Sequence, residues 1–197
     1  MSENLDFVLQ ILRVDIFIAF GLYSILYAII SLFIKSPILK IIDNYANRIV
    51  IYSGLIFLLV WISLIISTYS QSSEELRTGM VNRMFGPYWF GYWLQPILWI
   101  LLTQLLRFES IQRGRFFRLI FSIIFMISIE QFVIIITSFH RDYLPSSWYI
   151  LNSFDISFTP LDIVLGIITK VLLFLTLVGI YYLIDQKIKA QKVKAYQ

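Results

Sequence analysis

The chain contains five apolar runs, each close to the length of a membrane-spanning helix, and they occupy most of its 197 residues. A helix needs about 20 mostly apolar residues to cross the hydrocarbon core of a bilayer. The predicted membrane helices cover residues 16–34, 49–68, 88–106, 119–139 and 163–184. Charged residues make up 14% of the chain, against roughly 25% in soluble domains. The sequence therefore predicts an all-α, polytopic membrane protein with one integral membrane domain, 1–197, ending in a cytoplasmic tail, 185–197.

Basic residues are concentrated in alternate connections between these runs. One side carries eleven Lys and Arg residues: Lys35, Lys40, Arg48, Arg107, Arg113, Arg115, Arg118, Lys187, Lys189, Lys192 and Lys194. The other side carries four: Arg13, Arg77, Arg83 and Arg141. Because short cytoplasmic loops are enriched in Lys and Arg, this split predicts an external N-terminus and a cytoplasmic C-terminus. The arginines between the third and fourth runs are also suited to binding the headgroups of anionic lipids.

Several kinds of chemistry are excluded by composition. The chain has no cysteine and one histidine, His140, which excludes iron–sulfur ligation, thiolate zinc and bis-histidine haem. The N-terminus lacks a basic segment and a small-residue cleavage site, so the first run is predicted to be a true membrane helix rather than a signal peptide. No catalytic triad, phosphate-binding loop or metal cluster is present. We do not expect this chain alone to be a self-contained enzyme.

Glu130 lies within the fourth apolar run, where a carboxylate is costly and marks a candidate functional site. At 1.5 Å per residue, Glu130 and Lys170 both lie roughly 13–15 Å below the external surface, and Gln95 lies at a similar depth. Three interpretations stay open. The first is a buried ion pair that holds helices together, the second a proton relay through Glu130, and the third a Lys170 that extends to the interface or to a partner.

The external segments contain two further groups of candidate residues. The outer-face loop group comprises His140, Arg141, Asp142 and Trp148. His140 either passes protons at the outer surface or simply sits at the interface beside its charged neighbours. The candidate partner-docking group comprises Asn82, Arg83 and Trp89, although the following Gly-Pro pair also fits a simple helix-entry turn. Trp89, Trp93 and Trp99 either stack on the flat ring of a bound ligand or are ordinary lipid-facing and packing aromatics.

Two segments carry a resemblance to a known family. They are residues 81–89, Val-Asn-Arg-Met-Phe-Gly-Pro-Tyr-Trp, and residues 130–148, which run from Glu-Gln-Phe to His-Arg-Asp-Tyr-Leu-Pro-Ser-Ser-Trp. Gln-Leu-Leu at 104–106 and Thr-Pro-Leu-Asp at 159–162 extend the similarity over residues 44–184. The chain resembles the later helices of polysulfide-reductase-type membrane subunits, in particular the quinol-binding membrane subunits of alternative complex III.

The resemblance implies a membrane-integral subunit of a respiratory quinol-linked electron-transfer complex in the bacterial inner membrane. Such a subunit would anchor other membrane and periplasmic redox subunits, which carry haem or iron–sulfur groups, and would help to conduct protons. Lipid is a further expected partner and nucleic acid is not. We expect no cofactor on this chain alone, with quinol at an interface shared with a partner. The alternatives are a structural or assembly protein without a redox role and a small stand-alone transporter.

Three departures from the family pattern are visible. Family members have about twice as many helices, so the chain resembles their second half alone. Gln131 stands where the family usually has an arginine after the glutamate, and a histidine expected before the second helix is replaced within residues 43–47.

Overall fold

The computed structural model describes residues 2–87, 89–127 and 160–195, and all the regular structure in these ranges is helical. The α-helices are α1 (Ser2–Gln10), α2 (Ala19–Phe33), α3 (Pro37–Gln71), α4 (Glu74–Phe85), α5 (Trp89–Leu105), α6 (Glu109–Arg113), α7 (Arg115–Met126) and α8 (Pro160–Ala195). A π-helical segment, Ile11–Ile18, joins α1 to α2 without a break. The prediction of an all-α fold is confirmed for the described residues.

The first helix begins well before the predicted residue 16, because α1 starts at Ser2 and runs on through the π-helical segment. The charged residues that interrupted the apolar pattern have partners in the folded chain. The Arg13 guanidinium lies over the Trp99 ring, 5.2 Å from its centroid, and Asp15 pairs with Lys170. Polar residues at these positions therefore do not end the helix.

The second helix also begins earlier than predicted, at Pro37 rather than at residue 49. Ser36 caps it by accepting a hydrogen bond from the Ile38 amide at 3.3 Å, and proline is well tolerated in a first helical turn. The polar residues that obscured this start, Asp43 and Asn47, are buried. Their burial explains why an apolar-run criterion placed the boundary wrongly.

The remaining boundaries agree in part with the predictions. The helix α5 matches the predicted residues 88–106 closely, and α8 continues through the predicted tail to Ala195. The connection between the second and third predicted runs contains a further helix, α4, which occupies Glu74–Phe85 and has two carboxylates, Glu74 and Glu75, in its first turn. Only the first part of the predicted helix 119–139 is described, as α7, and its remainder lies outside the described residues.

Aromatic side chains form the centre of the bundle. The helix α2 packs along α7, α3 packs against α5, and α8 packs against both α2 and α3. Five phenylalanines are almost completely buried where these helices meet: Phe17, Phe20, Phe57, Phe125 and Phe174. The ring centroid of Phe17 lies 5.5 Å from that of Phe57 and 5.4 Å from that of Phe125. These contacts join the first helix to α3 and α7.

Among the described residues, three helices are long and apolar enough to cross a membrane: Glu3–Phe33, Pro37–Gln71 and Val164–Lys192. Within their most apolar windows only 33%, 28% and 17% of residues are buried, so most of their apolar surface faces outward. This distribution is that of a membrane protein rather than of a soluble bundle. The helix α5 has 17 residues with Pro96 inside it, and the described part of α7 is shorter still. The predicted third and fourth spans, 88–106 and 119–139, therefore stay predictions.

Candidate functional site: a buried ion pair beside a basic cavity

Asp43 of α3 and Arg118 of α7 form a bidentate ion pair in the interior. Arg118 donates from Nη1 to Asp43 Oδ2 at 2.8 Å and from Nη2 to Asp43 Oδ1 at 2.5 Å. Arg118 is 3% exposed and Asp43 is 6% exposed. Parallel hydrogen bonds between a guanidinium and a carboxylate are among the strongest polar contacts in proteins. Arg118, which the sequence placed in the connection between the third and fourth runs, therefore takes part in a buried contact between helices.

Neighbouring polar and aromatic groups complete this cluster. The Tyr23 hydroxyl lies 3.4 Å from Asp43 Oδ1, and Asn47 donates from Nδ2 to Asp43 Oδ2 at 3.2 Å. On the other partner, the Arg118 guanidinium lies 4.4 Å from the centroid of the Tyr27 ring. Cation–π contact adds to the stabilisation of a desolvated guanidinium. The cluster therefore fastens α2, α3 and α7 to one another at a single point.

The burial of this pair has an energetic consequence. Taking two charges out of water costs several kcal/mol per ion, and the mutual attraction offsets that cost only when the geometry is good and other hydrogen bonds are made. Asp43 meets this condition with hydrogen bonds from three side chains. Among the residues that the structure describes, Arg118 Nε is buried without a hydrogen-bond partner. One donor of the guanidinium therefore stays unsatisfied by the described protein groups.

A cavity of about 500 Å³ lies beside the ion pair. It is bounded by the last turns of α2, the connection to α3, the first turns of α3, α6 and α7. Its polar lining is mostly cationic or neutral and comprises Tyr27, Ser31, Lys35, Ser36, Lys40, Asn44, Gln112 and Arg118, with Asp43 as the acidic exception. We call this the basic cavity.

Lys170, predicted to partner Glu130, lies against the first helix. Its Nζ is 3.3 Å from Asp15 Oδ1, and both side chains are partly exposed. Glu130 lies outside the described residues, so the predicted pair stays a prediction. Gln95 is partly buried on α5. Among the described residues, Asp43 gathers a cluster of polar groups from Tyr23, Asn47 and Arg118.

The candidate docking residues lie on the surface. Asn82, Arg83 and Trp89 are all exposed, at the turn where α4 leads into α5. The Asn82 carbonyl accepts from the Gly86 amide at 2.8 Å, and Trp93 Nε1 donates to the Met84 carbonyl at 2.8 Å. The first contact ends α4 and the second fixes α5 against it. We call residues 82–87 with Trp89 the α4–α5 corner.

The other outer-face candidates, His140, Arg141, Asp142 and Trp148, lie outside the described residues.

Of the three tryptophans on α5, Trp99 is 5% exposed and packs edge-on against Phe57, with 5.6 Å between ring centroids. Trp93 stacks edge-on with Trp61 at 5.4 Å. These two rings contribute to helix packing.

A second polar contact joins α3 to α8. The Tyr45 hydroxyl donates to Asp185 Oδ2 at 2.6 Å, and Lys189 pairs with the same oxygen at 2.7 Å. Asp185, assigned from sequence to a tail, therefore belongs to a helix–helix contact.

Sequence reasoning missed Asp43 as a site residue, although a signal was present. Asp43 is the only acidic residue between Asp15 and Glu74. With Asn47 four residues later it lies on one helical face, which continues through Val50 and Gly54. A lone acid on such a face needs a cationic partner. The arginines between the third and fourth runs, which include Arg118, are predicted to lie on the same side of the membrane.

No group of three or more potential metal-ligating side chains occurs in the part of the chain that the structure describes.

The comparisons with known proteins add no family. No protein-family model matches the chain, and neither curated proteins nor solved structures give a significant match.

Proposed function

We propose that this chain is a membrane-integral, non-catalytic subunit of a respiratory quinol-linked electron-transfer complex in the bacterial inner membrane. Its role is to anchor membrane and periplasmic redox partners through its helices and its external surface. Quinol would lie at an interface shared with a partner, and Glu130 would assist proton conduction. In this arrangement five helices cross the membrane, with the N-terminus outside.

The observation that carries the proposal is the α4–α5 corner. It contains the residues that resemble the quinol-linked membrane subunits, and its Asn82, Arg83 and Trp89 side chains are exposed. The Trp93 hydrogen bond to Met84 holds the corner in place while leaving these side chains accessible. A fixed turn with exposed arginine and tryptophan suits protein docking, because these residue types dominate interface energetics.

The outward-facing apolar surface also supports a subunit role. The most apolar window of Val164–Lys192 is only 17% buried, so one long helix has most of its surface free for lipid or for partner helices. In a membrane, such surfaces associate through packing and interhelical polar contacts.

Purification in mild detergent, followed by mass spectrometry and visible absorption spectroscopy, tests the proposal. We expect haem- or iron–sulfur-bearing subunits to be recovered with the wild-type chain. Arg83→Ala should reduce that recovery several-fold, since Arg83 belongs to the corner. The matched control is Lys187→Ala, an exposed cation on α8. A wild-type chain recovered alone would reject the proposal.

Proton conduction has its own test. Glu130→Gln should lower proton-coupled turnover of the purified complex if the carboxylate carries protons. Unchanged turnover with reduced thermal stability would instead identify Glu130 as part of a structural ion pair.

The second candidate is a structural or assembly protein without a redox role. It is favoured by the use of charged side chains to join helices, as in Asp43–Arg118 and Asp15–Lys170. Under this alternative, co-purifying proteins would lack redox cofactors.

A further inference from the structure

The basic cavity has a charge that its own lining does not balance. Lys35, Lys40 and Arg118 line it together with one carboxylate, Asp43. Both oxygens of that carboxylate are engaged by Arg118. Within residues 2–87, 89–127 and 160–195, no ion pair joins either lysine to a carboxylate. The cavity therefore presents two positive charges that the described residues leave uncompensated.

Other groups around the cavity also favour an anion. The helix α3 begins at its edge, and the 35 residues of this helix place the positive end of a long dipole there. Arg118, nearly completely buried, lines the same space, and its Nε has no hydrogen-bond partner among the described groups. Ser31, Ser36 and Gln112 add neutral hydrogen-bonding side chains.

The surface next to the cavity is apolar. Phe33 is 81% exposed, Ile34 is 55% exposed and Ile38 is 64% exposed, at the ends of two helices of membrane-spanning length. A soluble anion would use only the cationic part of this region. A lipid would use both parts, with its phosphate at the lysines and its acyl chains along the exposed apolar side chains. Basic pockets between membrane helices bind anionic headgroups in this manner.

We propose that the basic cavity binds the phosphodiester headgroup of an anionic phospholipid, held by Lys35 and Lys40 at the junction of α2 and α3. The bound lipid fills the space between α2, α3 and α7, and the single negative charge of its phosphodiester offsets part of the charge of the two lysines. It thereby stabilises the end of the bundle that contains the Asp43–Arg118 pair. This site does not depend on the proposed electron-transfer role.

Native mass spectrometry of the full chain in mild detergent tests the site. Phosphatidylglycerol is the anionic probe and phosphatidylcholine the neutral one. Each basic side chain near an anionic lipid contributes about fivefold in affinity, so Lys35→Gln with Lys40→Gln should weaken phosphatidylglycerol binding about twenty-five-fold. Phosphatidylcholine binding should be unchanged. Lys187→Gln, an exposed lysine on α8, is the matched control and should bind as the wild type does.

Three results would overturn the proposal. The first is equal phosphatidylglycerol binding by the double variant and the wild type. The second is an equal loss in Lys187→Gln, which would indicate general attraction to any basic surface. The third is displacement of the lipid by glycerol 3-phosphate at equimolar concentration, which would identify a site for a soluble phosphate. If the double variant does not fold, Lys40→Gln alone should weaken binding about fivefold, and wild-type affinity in that variant would also reject the site.

Discussion

At the scale of single residues, the Asp43–Arg118 pair is the most consequential contact in the described chain. Both charges are buried, and each is the other's principal compensation. Removing one partner leaves the other charge buried without a counterion. Removing both restores electrical balance, which is why buried pairs are often replaceable by apolar residues of similar size.

We therefore predict that Asp43→Ala lowers the free energy of unfolding by about 3–5 kcal/mol, because Arg118 then stays buried and unpaired. The double variant Asp43→Leu, Arg118→Met should recover most of that loss. Thermal unfolding of the purified protein in detergent measures both effects. A single variant as stable as the wild type would show that the ion pair does not stabilise the bundle.

At the scale of elements, the contact between α3 and α5 depends on a glycine. A Cβ atom at Gly54 would overlap the Thr103 side chain, which is completely buried. Small residues allow two membrane helices to approach closely, and packing rather than hydrophobic transfer then holds them together. The position of α5, and with it the α4–α5 corner, depends on this approach.

Gly54→Ala should accordingly destabilise the protein by about 1–3 kcal/mol, the usual cost of overpacking a well-filled interior. The matched control is Gly179→Ala on α8, where an added Cβ meets no neighbouring atom within 4 Å. The two melting temperatures, compared under one detergent condition, measure the difference. Equal stability of the two variants would mean that α5 adjusts its position at little cost.

At the scale of the whole molecule, the number of membrane spans decides which side of the membrane each connection faces. A five-span arrangement places the segment containing α6 in the cytoplasm. If only the three long helices cross the membrane, the same segment lies outside. If the buried Arg118 is not counted, ten basic residues lie on the predicted cytoplasmic side and four on the external side. The distribution of Lys and Arg then still predicts the same orientation.

Because the natural chain has no cysteine, single-cysteine variants can report this topology directly. We expect Asn4→Cys to react with a membrane-impermeant maleimide in intact cells, and Ser110→Cys and Gln191→Cys to react only after lysis. All three positions are exposed. Labelling of Ser110→Cys in intact cells would instead support three spans.

The sequence by itself determined the fold class, the membrane location and the approximate course of the five apolar runs. Apolar length and the distribution of basic residues are local properties that need no knowledge of contacts. Only the tertiary structure showed that the first helix starts at Ser2 and the second at Pro37, since their polar residues are tolerated by virtue of distant partners. Asp43 and Arg118 lie 75 positions apart, and only folding brings them within hydrogen-bonding distance. Such pairing depends on how helices face one another, which hydropathy and charge along a single chain do not specify.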